Sequence, residues 1–291
     1  MRFLIVGGDS VTGAAFSQAA RQRGHTTYET TRRRPSVGNG RLYLDLASDD
    51  IGQVELPKVD VAFFCAAVSG FARCRKDPAL ARKVNIDSTA IVARRLIVGG
   101  AYVVLLSSAA VFDFQTPHVA GDSPTRPRTL HGSIKATAEK IFLDAGSHGA
   151  VLRLTKVLTA DIGQIPSWIH SLRRGKCITA FSDLHIAPIS LDDATTAMLA
   201  VANDGGAGIY QMSGAKDISY YDIALYLAQE MRRQTDLVRS ARAIDAGLPA
   251  EDIARYTTLD TSRLEGLTRR PAPEPYDVVD SVYREKIESG I

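Results

Sequence analysis

The sequence predicts an α/β fold built on a doubly wound parallel sheet, and three observations support this prediction. Short, continuous apolar runs recur along the first 160 residues, and helical patterns separate them. The runs show no polar alternation, so both faces of each strand must be covered. The first run enters a glycine-containing turn directly. Strands that alternate with helices in this way form a parallel sheet with helices on both faces.

The predicted strands and helices alternate up to about residue 160. The predicted strands occupy 2–6, 26–31, 60–65, 102–106 and 150–154. The predicted helices occupy 12–23, 77–98 and 131–145. The second helix begins at Asp77-Pro78, because a capping acid followed by proline is typical of a helix start.

Beyond about residue 160 the elements become shorter, and glycine and proline are more frequent. Strands are predicted at 178–181 and 208–212, and helices at 219–231 and 275–288. We therefore expect residues 1–160 to form the main sheet domain. Residues 161–291 are expected to form a smaller lobe that is interleaved with the last strands of the sheet.

Bulk composition excludes several classes of protein. The 291 residues are 45% hydrophobic and 23% charged, which is ordinary for a globular chain. A net charge of +3 suits an anionic ligand but is too small to indicate nucleic acid, and the basic run at 31–34 has no interleaved aromatic residues. No stretch approaches the roughly 20 apolar residues of a membrane span. We expect neither a nucleic-acid nor a membrane partner.

The three cysteines are Cys65, Cys74 and Cys177. Their odd number and their spacing fit neither a disulfide framework nor a metal site. The opening residues "MRFLIVGG" indicate a buried strand and not a signal peptide. We therefore expect a cytoplasmic protein with reduced thiols and no metal.

The turn after the first strand indicates a nucleotide site. "IVGGDSVTG" places Gly7, Ser10 and Gly13 at a three-residue spacing, with Val11 opening the helix. Glycine lets the backbone approach a pyrophosphate, and the helix N-terminus offers free N–H groups to it. The alternative interpretation is a tight strand–helix turn without a ligand.

The end of the second strand indicates which dinucleotide binds. An NAD site usually ends this strand with a carboxylate that holds the ribose hydroxyls. Here Thr31 stands at that place, and Arg32 and Arg33 follow. Guanidinium groups bind a 2′-phosphate, whereas a carboxylate repels it, so the sequence favours NADP(H). The alternative is a solvated basic loop, which is the better interpretation for Arg34.

These motifs continue in an order that resembles the extended short-chain dehydrogenase/reductase family, in its nucleotide-sugar branch. The fold implied is a Rossmann-type sheet with a smaller C-terminal substrate-binding lobe. The segments that carry the resemblance, in chain order, are "GGDSVTG", "YLDLAS", "FFCAAVSG", "KVNIDST", "LLSSAAVFD", "GDSPTRPRTLHGSIKATAEK", "VLRLTKV", "PISLDDA" and "GIYQMSG".

The resemblance implies a role for particular residues. Asp45 and Leu46 would contact the adenine, and Asn85 would be structural. Three further positions would line the cofactor site at the end of the third predicted strand: Cys65, Ala66 and Ala67. In the family a serine orients the substrate oxygen, a tyrosine moves its proton, and a lysine lowers the tyrosine pKa and holds the nicotinamide ribose. These roles fall on Ser108, His131 and Lys135.

Four departures from the family pattern stand out. Ser10 replaces the middle glycine, Lys156 stands where many members have a substrate-binding asparagine, and His185 stands where an arginine often clamps phosphates. The fourth is His131, and no tyrosine occurs between Tyr102 and Tyr210 to replace it.

His131 and Lys135 are four residues apart on one helix face, so both are expected to point at the cofactor. Imidazole is a plausible acid near neutrality, although Lys135 and partial burial both disfavour imidazolium. Two interpretations stay open. His131 is the acid of a working enzyme, or it is a drifted residue in a site that only binds nucleotide.

The loop after Ser108 helps to choose a reaction. Related dehydratases carry an acid pair where this chain has Ala109 and Ala110, so reduction of a keto-sugar, expected to be nucleotide-linked, is favoured over dehydration. The residues expected near the substrate are Lys156, Trp168, Phe181 and His185. For Trp168 a buried core position is an equal alternative.

Two other functions stay open, a non-catalytic NADP-binding regulatory subunit and an NADP-dependent epimerase. The resemblance also implies a homodimer formed by the helices after Asn85 and near His131. The apolar stripe expected at that interface comprises Ile86, Ala90, Ala93, Ile97, Ile141 and Phe142. The alternative interpretation is that these side chains only cover the sheet of their own chain.

NADPH is expected to bind more tightly than NADH. Exchange of Arg32 and Arg33 together for alanine should weaken NADPH binding by roughly 1.5–3 kcal/mol, the value of one charge-assisted contact. Parallel titrations with both cofactors measure this. Equal or tighter binding of NADH, or an unchanged NADPH affinity in the double variant, contradicts it.

Overall fold

The computed structural model describes residues 1–288, and its centre is a sheet of seven parallel strands. The strands of the chain are β1 (Arg2–Val6), β2 (Thr26–Thr31), β3 (Arg41–Tyr43), β4 (Val61–Phe64), β5 (Tyr102–Ser108), β6 (Gly149–Leu154), β7 (Lys156–Val157), β8 (Ile178–Phe181), β9 (His185–Ile186), β10 (Pro188–Ile189), β11 (Gly208–Met212), β12 (Ile218–Ser219) and β13 (Val238–Ala241). The large sheet has the order β11-β6-β5-β4-β1-β2-β3.

Ten α-helices accompany these strands in the described residues. They are α1 (Val11–Gln22), α2 (Phe71–Lys76), α3 (Pro78–Arg82), α4 (Thr89–Val98), α5 (Leu130–Leu143), α6 (Gln164–Arg173), α7 (Leu191–Asp204), α8 (Tyr220–Glu230), α9 (Ser262–Thr268) and α10 (Pro275–Glu288). The predicted fold class, a Rossmann-type α/β sheet, is confirmed.

Alternate residues of each strand face opposite layers, as period-two geometry requires. Phe3 and Ile5 of β1 pack towards α1 and α7, whereas Leu4 and Val6 pack towards α4 and α5. All four side chains are fully buried. The continuous apolar runs in the sequence therefore reflect strands that are covered on both faces.

The long helix predicted from Asp77 differs from the observed one. The chain forms α3, then a π-helical segment at Lys83–Ser88, and then α4. Within the π segment, Asn85 accepts a hydrogen bond from the Val68 backbone N–H (2.8 Å) and donates one to the Val68 carbonyl (2.9 Å). The wider turn thus brings Asn85 to the loop after β4, which is the kind of local departure that π-bulges make at functional sites.

The apolar stripe expected at a dimer interface faces the core of its own chain, and this expectation was wrong. Ala93 of α4 and Phe142 of α5 are fully buried beneath the sheet. Ile97 and Ile141 pack against the same cluster. Helical spacing of apolar residues identified a buried face but could not say which surface covers it.

A second hydrophobic core forms from later residues. It unites α6, α8 and α10 with β8 and β13, and it includes Ile169, Leu227 and Val279. In contrast, β11 pairs with β6 in the large sheet, and α7 packs on α1. Within the described residues, no helix is long and apolar enough to cross a membrane.

A buried ion pair ties α5 to the sheet. Glu139 of α5 and Arg153 of β6 are 2% and 1% exposed, and Arg153 donates through Nε (3.0 Å) and Nη2 (2.8 Å) to the two carboxylate oxygens. Ser107 of β5 donates to Glu139 (2.6 Å), and Arg153 also donates to Gln211 of β11 (3.2 Å). Four elements therefore share one hydrogen-bonded network.

Removal of one partner from this pair is expected to destabilise the fold strongly. Glu139→Ala leaves the Arg153 charge buried without compensation, and the free energy of unfolding should fall by roughly 3–5 kcal/mol. Glu274→Ala is the matched control, because Lys216 and Glu274 form an exposed pair, and such pairs contribute roughly 0–1 kcal/mol. Urea unfolding measures both. A loss below about 1 kcal/mol for Glu139→Ala contradicts the interpretation.

Candidate active site

A cavity of about 530 Å³ opens at the carboxyl ends of β1, β2, β3 and β4. It includes the point between β1 and β4 where the strand order reverses, which is where α/β sheets bind their ligands. The predicted cofactor residues that line it are Gly7, Ser10, Val11, Arg32, Asp45, Leu46, Cys65, Ala66 and Ala67. Neither Gly13 nor Arg33 is among the residues that line it.

The turn between β1 and α1 requires its glycines for different reasons. Gly7 has φ +99°, and a Cβ there would lie 2.4 Å from the Ala66 backbone nitrogen. A Cβ on Gly13 would lie 2.5 Å from the Gly7 carbonyl. Gly13 therefore allows close packing within the turn, whereas Gly7 allows the turn to approach the backbone of Ala66.

Ser10 replaces the usual middle glycine by capping α1. Its hydroxyl accepts a hydrogen bond from Gly13 N–H (3.1 Å) and donates to the Gly7 carbonyl (2.8 Å). The first N–H groups of a helix have no intrahelical acceptor, and Val11 at the start of α1 lines the cavity. The residues present therefore fit the pyrophosphate of a dinucleotide.

The end of β2 differs from the expected arrangement in one respect. Thr31 is 2% exposed, and its hydroxyl donates to the carboxylate of Asp9 (2.8 Å). Asp9 lines the cavity together with Arg32. The sequence interpretation missed Asp9, because it lies 22 positions before Thr31 and only the fold brings the two together.

The loop after β5 is packed tightly against the start of α5. A Cβ on Gly132 would lie 1.9 Å from the Ala110 carbonyl oxygen, so only glycine permits this approach. Ser108 precedes the 3₁₀ turn Ala109–Val111 and accepts a hydrogen bond from Ala110 N–H (3.2 Å). Ser108 and α5 are thereby held beside each other.

Lys135 is buried at the base of this site. It is 8% exposed, and its ammonium donates to the Leu106 carbonyl of β5 (2.7 Å). Burial lowers the pKa of Lys135 to about 8, although the nearby Cys65 thiol and Glu139 carboxylate favour the charged form. Lys135 itself is not among the residues that line the cofactor cavity, whereas Cys65 is.

His131 lies in a less polar place than the sequence suggested. It is 7% exposed, its Nδ1 lies 3.6 Å from Cys74 Sγ, and its ring is 5.9 Å from the Phe71 ring. Burial and, secondarily, Lys135 lower the pKa of His131 to about 4. The imidazole is therefore neutral near pH 7.

The partners of His131 come from α2, which the sequence did not predict. The Cys74 thiol, whose pKa burial raises, is within hydrogen-bond reach of the Val68 carbonyl (3.4 Å) as well as of His131 Nδ1, and its single proton serves one of them at a time. One ring nitrogen of His131 thus faces α2. Helical spacing placed His131 and Lys135 on a common face but could not show which neighbours that face meets.

The residues expected near the substrate are separated in the structure. Lys156 lines a second cavity of about 360 Å³, which shares Val11 and Ser69 with the cofactor cavity. Its side chain is accessible there, but surrounding protein desolvates the ammonium and lowers its pKa. Tyr220 and Tyr283 line the same cavity.

The other three side chains have different surroundings. Trp168 is 4% exposed in the core of the smaller lobe, so the structure supports its alternative role as a core residue. Phe181 and His185 are half-buried on β8 and β9. His185 Nδ1 is buried and has no hydrogen-bond partner within residues 1–288. Neither Phe181 nor His185 belongs to the lining of the Lys156 cavity.

A segment of the smaller lobe lies against the loop after Ser108. Ala254 packs with Ala110 and Phe114, and Phe71 adds to the same cluster. Arg75 of α2 forms two hydrogen bonds with the Asp252 carboxylate, at 2.7 and 2.6 Å. The two lobes therefore meet at the loop that follows Ser108 and at α2.

Acid is expected to destabilise the protein through His131. Its pKa is about 4 in the folded state and 6.5 in the reference state, so the unfolded chain binds more protons between these values. This stabilisation is complete above pH 6.5 and is lost as the pH falls to 4, by about 2–3 kcal/mol. His131→Gln should remove that part of the pH dependence of unfolding, whereas exposed His148→Gln should not. Equal pH slopes for wild type and His131→Gln contradict the burial of a neutral imidazole.

Several curated proteins whose names state an activity or a subunit role are similar to this chain. A probable dTDP-4,6-dihydroxy-2-methyloxan-3-one 4-ketoreductase of Streptomyces antibioticus is 31% identical over 178 residues, which cover 59% of this chain and 58% of that protein. Methionine adenosyltransferase 2 subunit beta of Bos taurus is 24% identical, with coverages of 71% and 64%. A dTDP-4-dehydrorhamnose reductase of Streptomyces griseus is 24% identical, with coverages of 93% and 89%. The match spans less than two thirds of each of the first two relatives.

Solved structures share the fold. A dTDP-4-dehydrorhamnose reductase from Clostridium acetobutylicum superposes with a TM-score of 0.83 at 18% identity, covering 98% of this chain and 99% of that one. The enzyme of that name from Bacillus anthracis, in complex with NADP, gives 0.82 at 16% identity with the same coverages. The family model described as RmlD substrate binding domain matches residues 1–285. Because this match spans nearly the whole chain, the protein belongs to the RmlD substrate binding domain family, within the nucleotide-sugar branch of the extended short-chain dehydrogenases/reductases that its motifs indicated.

Proposed function

We propose that the protein is an NADP(H)-dependent oxidoreductase that reduces the ketone of a nucleotide-linked sugar. The observation that carries the proposal is that predicted cofactor residues from four strand ends, among them Gly7, Arg32 and Asp45, line one cavity at the switch point of the sheet. Family membership and the dTDP-4-dehydrorhamnose reductase of Streptomyces griseus support the choice of substrate class.

Different residues of the cavity would contact different parts of the cofactor. The α1 N-terminus with Gly7 and Ser10 would hold the pyrophosphate, Arg32 would face the 2′-phosphate, and Asp45 with Leu46 would contact the adenine. Bound NADPH supplies a hydride to the carbonyl carbon. Lys135 would hold the nicotinamide ribose, since its ammonium is fixed at 2.7 Å from the Leu106 carbonyl.

The substrate carbonyl would lie between Ser108 and His131. The Ser108 hydroxyl orients the oxygen, and His131 occupies the position of the acid. A neutral imidazole polarises a carbonyl as a hydrogen-bond donor and not as imidazolium. His131 would therefore stabilise the developing oxyanion through an Nε2–H bond while Cys74 donates to Nδ1, with Lys135 as the nearby positive charge. A water molecule would supply the proton that completes the product hydroxyl. Lys156, which lines the cavity next to that of the cofactor, would contact the rest of the substrate.

The division into a cofactor part and a substrate part follows from this proposal. Residues 1–160 would bind NADP(H), and residues 161–291 would supply the substrate lobe, except where β11 completes the sheet. Three free thiols are consistent with a cytoplasmic protein. A homodimer through α4 and α5 also stays a prediction. The exposed Ile91 and Val98 are the apolar side chains that α4 has left for such a contact.

Turnover is expected to depend on two residues of α5, His131 and Lys135. With NADPH and a dTDP-4-keto-6-deoxy sugar, the wild type should consume one NADPH for each ketone reduced. His131→Ala should lower kcat by roughly 10²–10³-fold, the usual cost of removing one donor to the oxyanion, with NADPH affinity nearly unchanged. Lys135→Ala should impair both, and His131→Tyr should retain activity. His148→Ala, at an exposed position, is the control.

Other outcomes identify the alternatives. Tight NADPH binding without turnover of any keto-sugar indicates a regulatory nucleotide-binding subunit. Interconversion of sugars without net NADPH consumption indicates an epimerase. Full activity of His131→Ala shows that Ser108 or a bound water, and not His131, stabilises the oxyanion.

A further inference from the structure

The turn between β1 and α1 places the carboxylate of Asp9 at the end of β2, a strand that does not itself end in a carboxylate. Asp9 follows β1 and lines the cofactor cavity. Its Oδ2 accepts a hydrogen bond from the hydroxyl of Thr31, the last residue of β2, at 2.8 Å. In dinucleotide sites the end of this strand is where a carboxylate holds the ribose 2′-hydroxyl. Asp9 therefore supplies, from the neighbouring turn, the group that the sequence of β2 omits.

The Asp9 carboxylate is ionised and held in place. Burial alone would raise its pKa, but hydrogen bonds from Thr31 and Arg41 outweigh this effect and keep the pKa of Asp9 below its ordinary value. Arg41 Nη2 lies 2.5 Å from Asp9 Oδ1. The side chain of Asp9 is about one-quarter exposed, so it has a fixed orientation and can still meet a ligand.

The charges around this point nearly cancel. Arg41 is shared between Asp9 and Glu29, whose Oε2 lies 3.3 Å from Arg41 Nε. Glu29 is itself 7% exposed and also accepts from Ser17 (2.6 Å) and Arg21 (2.7 Å). Arg41 is therefore committed to two carboxylates. Arg32 is the cation that lines the cavity at the end of β2.

We propose that Asp9 is the residue that limits discrimination between NADP(H) and NAD(H), by opposing Arg32 at the ribose 2′-position. The carboxylate repels a 2′-phosphate and accepts a hydrogen bond from a 2′-hydroxyl. The site thus accepts NAD(H) alongside NADP(H), and the preference for NADP(H) is smaller than Arg32 alone would give. The inference rests on the proposed function only in requiring that the cavity binds a nicotinamide dinucleotide.

The decisive variant is Asp9→Asn, which keeps the size of the side chain and a hydrogen-bond acceptor for Thr31 but removes the charge. Dissociation constants of NADPH and NADH are measured by fluorescence titration for the purified protein and the variant. The ratio of the NADH constant to the NADPH constant should rise by about tenfold or more, mainly because NADPH binds more tightly. The shift should shrink as salt is added, because the effect is electrostatic.

Two further variants make the result specific. Asp49→Asn removes a carboxylate that is 94% exposed and outside the cavity lining, and it should leave the ratio unchanged. Asp9→Ser removes the same charge with a different side chain and should shift the ratio in the same direction, which keeps the test valid if Asp9→Asn folds poorly. A ratio that is unchanged in both Asp9 variants, or that moves towards NADH, overturns the role of Asp9 while leaving the oxidoreductase proposal intact. Failure of the wild type to bind either cofactor overturns both.

Discussion

The buried pair between Glu139 and Arg153 is the interaction on which the geometry of the site depends. It attaches α5 to β6, and through Ser107 and Gln211 it also reaches β5 and β11. Buried pairs of this kind are weak sources of net stability, but they fix one arrangement because any other leaves a charge uncompensated. With α5 held in this way, Gly132 meets Ala110, and the Lys135 ammonium reaches the Leu106 carbonyl.

The same close packing changes the chemistry of α5. Desolvation is the largest cause of the lowered pKa at both His131 and Lys135, and the charge of Lys135 lowers the pKa of His131 further. The site accommodates one cation, and Lys135 keeps the proton because its intrinsic affinity for it is higher. Substitution of histidine for tyrosine therefore introduces a neutral hydrogen-bond donor and not an imidazolium acid. A catalyst with this arrangement must stabilise the oxyanion mainly through Lys135 and the N–H and O–H groups around it.

Sequence patterns predicted the parts of this structure that depend on neighbours along the chain. The buried strands, the capped start of α3 and the glycine turn all have local causes, and Gly7, Ser10 and Val11 of that turn line the cavity as expected. Contacts between distant segments could not be predicted from one sequence. Cys74 meets His131 across 57 positions, Asp9 meets Thr31 across 22, and Asp252 meets Arg75 across 177.

Burial was the second quantity that local patterns left open. Trp168 satisfied the expectations for a substrate contact and for a core residue equally, and only the packing of the smaller lobe decides for the core. The stripe on α4 was apolar in either interpretation, and the sheet beneath it is what covers Ala93. In both cases the residue type is the same, and the difference lies in which surface of the fold it meets.

The most direct test of this account is the protonation state of the His131 ring. ¹⁵N NMR of imidazole-labelled protein follows each of the six histidines as a function of pH, and His131→Gln assigns the signal. The imidazole ring of His131 should stay neutral from about pH 8 down to about pH 5.5, and it should become protonated only as the pH approaches about 4. A titration midpoint between about 6 and 7, the range of an unperturbed histidine, would show that the site does not disfavour imidazolium, and it would contradict the description of α5 as the carrier of a neutral donor.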